Sequence, residues 1–434
     1  MPDNSVIRGR RTGGRRTAAV GAALAAGLFV ASPAAHAIAS VAHPAGASAR
    51  AGAEAQRLTP EVRARLDRAV TAVMKQTGVP GAVVSLSIPG KGDYTRSFGV
   101  ADRATGTPLA GNIAMRVGSL TKTFTATAVL QLVDRHRVHL DDPVARYAPG
   151  VPQGDRITLR HLLEMRSGLF DYMLDDDLGR AWAADPHRQW TAEQVLPYAF
   201  RHPAAAPGTE YHYSNTNYAL LGLVVEKASG RPLGSYLQQH VIAPAGLRHT
   251  FYPEGAEFPA PHAHGYTDQT ADGSVGDATD WNPSIGGAAG AMVSNVSDLR
   301  QWARVVAEGT LLSPAAQAQR TAFLPTGVEG AGYGLGVFDN HGWIGHNGSL
   351  PGYQTVAVYL PQAGATLVLH TTTDIRYQGI SPSTLLAKAV TEVVTPQHVY
   401  DLKPPKPAPA PSPSQVPARV PNQAPAPAAT PTGH

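Results

Sequence analysis

The 434-residue chain has no cysteine, which excludes a disulfide framework, a thiolate metal site and a thiol nucleophile. Lysine is scarce, with only seven in the whole chain, so any lysine inside a short motif is informative. After the N-terminal region no stretch approaches about 18 consecutive apolar residues, so no later segment reads as a membrane span. There is no G-x-S-x-G and no H-E-x-x-H, which removes the nucleophile elbow of α/β-hydrolases and the helix-borne zinc pair of metalloproteases. An excess of positive charge is also missing once the N-terminus is set aside. Residues 1–37 hold Arg8, Arg10, Arg11, Arg15 and Arg16 against Asp3, leaving 31 basic and 31 acidic residues and no electrostatic case for nucleic acid.

What is present begins with a leader. The arginines precede an apolar run from Ala18 to Val30 and then Ala35-His36-Ala37, the layout of a secretory signal peptide over 1–37. The paired arginines hint at twin-arginine export. We expect release from the cell as a monomer, with no membrane span after cleavage. Residues 38–56 read as a flexible lead-in of small residues, 57–398 as the folded domain, and 402–434 as a disordered Pro/Ala-rich tail. That tail carries eleven of the 37 prolines and no acid, so it cannot bury enough apolar surface to offset chain entropy. Its basic residues suit a solvated terminus or a loose contact with an anionic cell wall.

Within the domain, Thr59-Pro60-Glu61 is a helix start, and Val62, Leu66, Ala69, Val70 and Val73 recur on one face until Gly78 and Pro80. Residues 82–88 and 94–100, joined by Pro89-Gly90-Lys91-Gly92-Asp93, read as a hairpin. An amphipathic helix follows Ser119 and closes near Val138. The pattern is then mostly helical to about Leu312, strands return at 343–348, 354–360 and 366–372, and a last helix covers 384–394. Helix and strands at both ends with helices between give an α/β (α+β) fold: one antiparallel sheet flanked by N- and C-terminal helices, with an all-helical lobe.

Three motifs carry chemistry. Ser119-Leu-Thr-Lys122 places a hydroxyl and an amine at i and i+3 on one helical face, where a desolvated lysine can act as the base a weakly nucleophilic serine needs. Tyr213-Ser-Asn215 precedes an apolar helix, and in an extended loop its phenol and amide would face the same way. His346-Asn347-Gly348-Ser349 lies on a predicted strand whose glycine suits close approach of a backbone or ligand. Asp175-Asp176-Asp177 reads as a solvated loop, and His262-Ala-His264 and His136-Arg-Val-His139 as surface histidines.

Together, in this order, the motifs resemble those of the penicillin-recognising serine hydrolases, the family of the class C β-lactamases, and most closely the secreted actinomycete D-alanyl-D-alanine carboxypeptidases. Gly99–Gly106, Arg116-Val-Gly-Ser119, Arg166-Ser-Gly-Leu169, Tyr213–Asn217 and Tyr333-Gly-Leu-Gly336 carry the same likeness. The resemblance implies a β-lactamase/transpeptidase-like fold, Ser119 as acylated nucleophile, Lys122 as its proton partner and Tyr213 as general acid/base. It further implies that Asn215 orients substrate, that His346, Asn347, Gly348 and Ser349 line the cleft, that Trp281 forms part of its rim, and that the amides of Ser119 and Ser349 form the oxyanion hole. Substrates would be peptidoglycan stem peptides, with β-lactams as acylating inhibitors and no metal or organic cofactor. The likeness departs at Phe338, where the carboxypeptidase has an arginine gripping the donor's carboxylate, and at Asn347, usually threonine. Loss of such a charge-assisted contact costs about 2 kcal/mol, which opens an esterase, a D-amino-acid amidase or a non-turnover penicillin-binding module as alternatives.

Overall fold

A computed structural model describes residues 55–402. The expected leader over 1–37, nearly all of the lead-in and all of the tail but Leu402 lie outside the described residues. Helix α1 (Pro60–Thr77) starts as the sequence predicts: Thr59 Oγ1 accepts from the Val62 amide, Pro60 occupies the first helical position, and Gly78 closes it at φ 73°.

Eight strands form one antiparallel sheet: β1 (Gly81–Ile88), β2 (Gly92–Gly99), β3 (Leu324–Pro325), β4 (Ala331–Tyr333), β5 (Phe338–Asn340), β6 (Trp343–Leu350), β7 (Tyr353–Leu360) and β8 (Ala365–Thr371). Their spatial order is β2-β1-β8-β7-β6-β5-β4-β3, so the N-terminal hairpin pairs with the last strand and both ends of the chain complete the sheet. The three short strands β3 to β5 extend the sheet beyond the expected set. With two or three residues each, and glycines at 332, 334 and 336, they carry no alternating pattern to read.

Alternation along the central strands divides two cores. Val83, Ala357 and Val368 turn toward the helical lobe, whereas Val84, Val356, Val358, Leu367 and Leu369 turn toward α1 and the C-terminal helix, where Leu66, Val70, Leu386 and Val390 meet them. Gln56, assigned to the flexible lead-in by sequence, is tied down here: its amide donates to the Val394 carbonyl at 2.9 Å. Just before the tail, the Asp401 amide donates to Asn340 Oδ1 at 2.9 Å.

In the lobe, α2 (Thr121–Asp134) ends four residues before the expected Val138, and nearly all of its side chains are buried. It is therefore a central rather than an amphipathic helix. Packed among α3 (Asn215–Ser229), the segment Gly287–Gly290 and the sheet, it satisfies its own polar residues: Thr123 donates to the Leu120 carbonyl at 2.7 Å and Thr125 to the Ala288 carbonyl at 2.8 Å. Helix α4 (Val296–Glu308) locks onto it through Trp302. That indole stacks on Phe124 with centroids 3.9 Å apart, and its Nε1 donates to Thr123 Oγ1 at 2.7 Å.

Trp302→Ala should therefore cost about 3–5 kcal/mol of stability in denaturant unfolding, from a buried cavity plus the lost hydrogen bond that Thr123 Oγ1 accepts. A change below about 1 kcal/mol would mean that α2 is held elsewhere.

Candidate active site

Ser119 sits in a single 3-10 turn, Gly118–Leu120, that leads directly into α2, so Lys122 lies in the first turn of the helix with its amine directed back at the serine. The turn is pressed against β6. Gly118 has φ 54°, and a Cβ there would lie 2.5 Å from the Ser349 amide nitrogen; a Cβ on Gly348 would overlap the Val117 carbonyl oxygen and lie 2.9 Å from the Ser119 amide nitrogen. Two glycines thus let a strand and a turn touch backbone to backbone next to the amides of residues 119 and 349.

The amine of Lys122 is fully buried and makes three contacts: Ser119 Oγ at 2.9 Å, Asn215 Oδ1 at 2.7 Å and the Ala289 carbonyl oxygen at 2.9 Å. Two of these partners can only accept, so they take two N–H bonds whatever the protonation state. The remaining tetrahedral direction faces the serine. In the neutral amine that direction is a lone pair, and Ser119 becomes the donor. Burial disfavours the ammonium and lowers the Lys122 pKa to about 7, while the Asp171 carboxylate opposes the shift.

Asp171 is the functional residue that the motifs did not reveal. It is buried, and both of its carboxylate oxygens accept from Asn215 Nδ2, at 3.2 and 2.9 Å, which fixes the amide with its oxygen toward Lys122. Desolvation raises its pKa, partly countered by the Met173 amide and Lys122. The segment carrying it is strapped to the start of α3: Thr216 Oγ1 donates to the Phe170 carbonyl at 2.6 Å and Ser167 Oγ to Asn217 Oδ1 at 2.5 Å. Its position two residues beyond Arg166-Ser-Gly-Leu169 was the available signal.

Tyr213 and Asn215 do meet Ser119 and Lys122, though not as neighbours in an extended loop. Ser214 is the extended N-cap and Asn215 already belongs to α3. Tyr213 shares the cleft wall with Ser119, and its ring centroid lies 4.9 Å from Lys122 Nζ. Burial holds its pKa well above the usual phenol range, so it remains a proton donor at neutral pH.

A cleft of about 330 Å³ opens over Ser119, with Tyr213, Asn347, Gly348 and Ser349 among its walls and Phe338 contributing an apolar face. Two residues expected in the cleft wall or rim are placed differently. His346 is fully buried beneath the cleft, its ring centroid 4.6 Å from that of Phe338 and 6.4 Å from that of Tyr213, while its Nδ1 contacts the Asn347 carbonyl oxygen at 2.5 Å and its Nε2 the Tyr333 hydroxyl at 3.2 Å. Burial and the Lys122 charge lower its pKa to about 3, so it stays neutral. The inward register of position 346 follows from the pleat, which turns Asn347 outward. Trp281 packs edge-on against Trp182, centroids 6.0 Å apart, and lies outside the cleft wall. Asp175 also differs from the solvated loop expected of it. It caps the helix Asp176–Ala184 and is buried against Arg201 and His202. Among the described residues no cluster of His, Asp and Glu could hold a metal ion, and no helix is long and apolar enough to cross a membrane.

The model of the Beta-lactamase family matches residues 66–387. The chain belongs to the β-lactamase family. It is 30% identical to Penicillin-binding protein 4* of Bacillus subtilis over 63% of this chain and 64% of that protein, and 32% identical to Esterase EstB of Burkholderia gladioli over 46% and 60%. The chain thus spans a little under two thirds of the length of these curated relatives. A solved D-stereospecific amidohydrolase from Streptomyces superposes with a TM-score of 0.69 at 32% identity, covering 77% of this chain and 98% of that one. These likenesses give the protein a β-lactamase fold and relate it to penicillin-binding proteins.

Three outcomes follow from the amine's environment. Lys122→Ala should slow acylation of Ser119 by about 10²- to 10⁴-fold without unfolding the protein, read by stopped-flow acylation alongside circular dichroism. In the native protein the acylation rate should rise with pH through about 7, because the ammonium must lose its proton to act as base. Asp171→Asn removes the charge that favours that ammonium, so the same limb should move to lower pH; a limb that stays in place would uncouple the two residues.

Proposed function

We propose that the protein is a secreted serine amidohydrolase that acylates Ser119 with D-aminoacyl amides and peptides, stem peptides ending in D-alanyl-D-alanine among them, and that β-lactams acylate the same oxygen. The observation that carries this reading is the Lys122 amine, held by two fixed acceptors with its third direction on Ser119 Oγ beneath an open cleft.

The steps use only groups already described. Neutral Lys122 takes the Ser119 proton as Oγ attacks the carbonyl carbon, and the amides of Ser119 and Ser349 receive the oxyanion, a type of contact worth about 3 kcal/mol per donor. Collapse of the tetrahedral adduct expels an amine, which leaves only if protonated. Tyr213 gives up its phenolic proton there and recovers one from the lysine ammonium beside its ring. Water, giving its proton to neutral Lys122, then attacks the acyl-enzyme, and the second tetrahedral adduct breaks its C–Oγ bond as Ser119 recovers a proton from the Lys122 ammonium.

A phenol kept protonated by burial favours amides over activated esters, since an alkoxide leaves with less help. The likeness to the Streptomyces D-stereospecific amidohydrolase over nearly its whole length supports the same substrate class. The apolar side of the cleft, with Val328, Phe338 and Ile380, supports a second reading as an esterase for short acyl groups, in line with the likeness to Esterase EstB. The leader pattern over 1–37 supports export.

Intact-mass measurement after exposure to benzylpenicillin should reveal one covalent adduct on the native protein and none on Ser119→Ala. A D-Ala-D-Ala peptide should release free D-alanine over many turnovers. An adduct with no peptide or amide turnover, together with rapid hydrolysis of p-nitrophenyl acetate, would shift the assignment to the esterase; a single acylation without release would leave a penicillin-binding sensor.

A further inference from the structure

The Ser119 cleft does not end at its own walls. Tyr211 and Thr326 line it and also line a neighbouring groove of about 760 Å³, bounded by the loop before α3 on one side and β3 on the other. Tyr213 delivers its proton to the departing amine, and Tyr211 stands two residues before it on the same loop. The groove therefore continues the cleft on its leaving-group side.

The arginines of this groove are turned to its frame. Arg166 ties the two walls together, its Nη1 donating to the Thr209 carbonyl at 3.2 Å and its Nη2 to the Pro325 carbonyl at 2.7 Å. Arg160 donates to Gln319 Oε1 at 2.8 Å and lies 3.8 Å from a carboxylate oxygen of Glu164. What remains unpaired is neutral or acidic. His161 Nδ1 accepts from the Thr158 amide at 3.3 Å, which leaves the ring proton on Nε2, and burial beside Arg160 holds the ring below its usual pKa and so uncharged. A Cβ on Gly208 would lie 3.0 Å from that Nε2, so the glycine leaves the imidazole edge uncovered. Glu210 is exposed, and neither its carboxylate nor the Tyr211 hydroxyl has a partner among the described residues. On the opposite wall Leu324 presents an apolar side chain that is 37% exposed.

An N–H donor, a carboxylate acceptor, a hydroxyl that does both and an apolar surface match a peptide chain, whose residues each carry an N–H, a C=O and a side chain. We propose that His161, Glu210, Tyr211 and Leu324 form a second subsite on the leaving-group side, so that the departing amine is preferentially the start of a peptide chain and the enzyme cuts within peptides. The bond broken is still the amide whose acyl part passes to Ser119 Oγ, and the released peptide keeps the proton given by Tyr213; the subsite changes only the length of the departing chain. It deepens the amidohydrolase reading above and rests on it for the acyl part of the substrate.

Two substrates with one acyl part test it: diacetyl-L-lysyl-D-alanyl-D-alaninamide, and the same acyl part joined to D-alanyl-glycyl-glycinamide. Carboxamide ends keep terminal charge out of the comparison. With the full-length native protein, kcat/KM read from the released amine should be about tenfold higher for the longer substrate, through KM rather than kcat. That ratio should fall to about one in the double variant Glu210→Gln/Tyr211→Phe, and Leu324→Ser on the opposite wall should lower it about threefold by itself. Equal kcat/KM for the two substrates, or a ratio that survives in both variants, would overturn the subsite. Should neither substrate be turned over, calorimetry on the full-length Ser119→Ala protein decides. Tighter binding of the longer peptide would keep the subsite and end the substrate reading, whereas equal or undetectable binding would end the subsite.

Discussion

A primary amine enclosed in protein is the constraint around which this molecule is organised. An ammonium buried without partners is costly, so the site must either supply acceptors or shed the proton, and here it is built to permit both states. The Ala289 carbonyl and the Asn215 side-chain oxygen serve the amine in either form, and only the contact with Ser119 changes sense when the proton leaves. That asymmetry makes the serine hydroxyl a donor, which is what a nucleophile needs. Each partner comes from a different part of the chain, and each is fixed by something beyond itself: Asn215 by Asp171, Ala289 by the short helical segment packed on α2.

The second requirement is a place for charge to develop. Backbone amides can meet there only if nothing intrudes between the turn at Ser119 and strand β6, and the absence of side chains at Gly118 and Gly348 satisfies that condition. The neutral His346 beneath the cleft adds no competing charge, and burial keeps the Tyr213 phenol protonated beside it.

Much of this was legible in order along the chain. The cap at Thr59, the N-terminal hairpin and the three long C-terminal strands follow from local patterns that tertiary contacts only reinforce. Ser119 and Lys122 were readable because three residues of helix fix their separation. Asp171 was not, because it acts on Lys122 through Asn215, and a relay through a third residue leaves no spacing in the sequence. Trp281 and His346 were placed by likeness alone, and packing against Trp182 and the pleat of β6 decided their positions instead.

By itself the sequence determined the chemical inventory: a serine and a lysine in register, a phenol and an amide two residues apart, glycines where backbones must touch, and no thiol or zinc motif to compete. Tertiary structure alone decided how that inventory behaves. The depth of burial sets whether Lys122 is a base and Tyr213 an acid. Both depend on distances between segments far apart in the chain and on how much water remains around them, quantities that no local pattern of residues encodes.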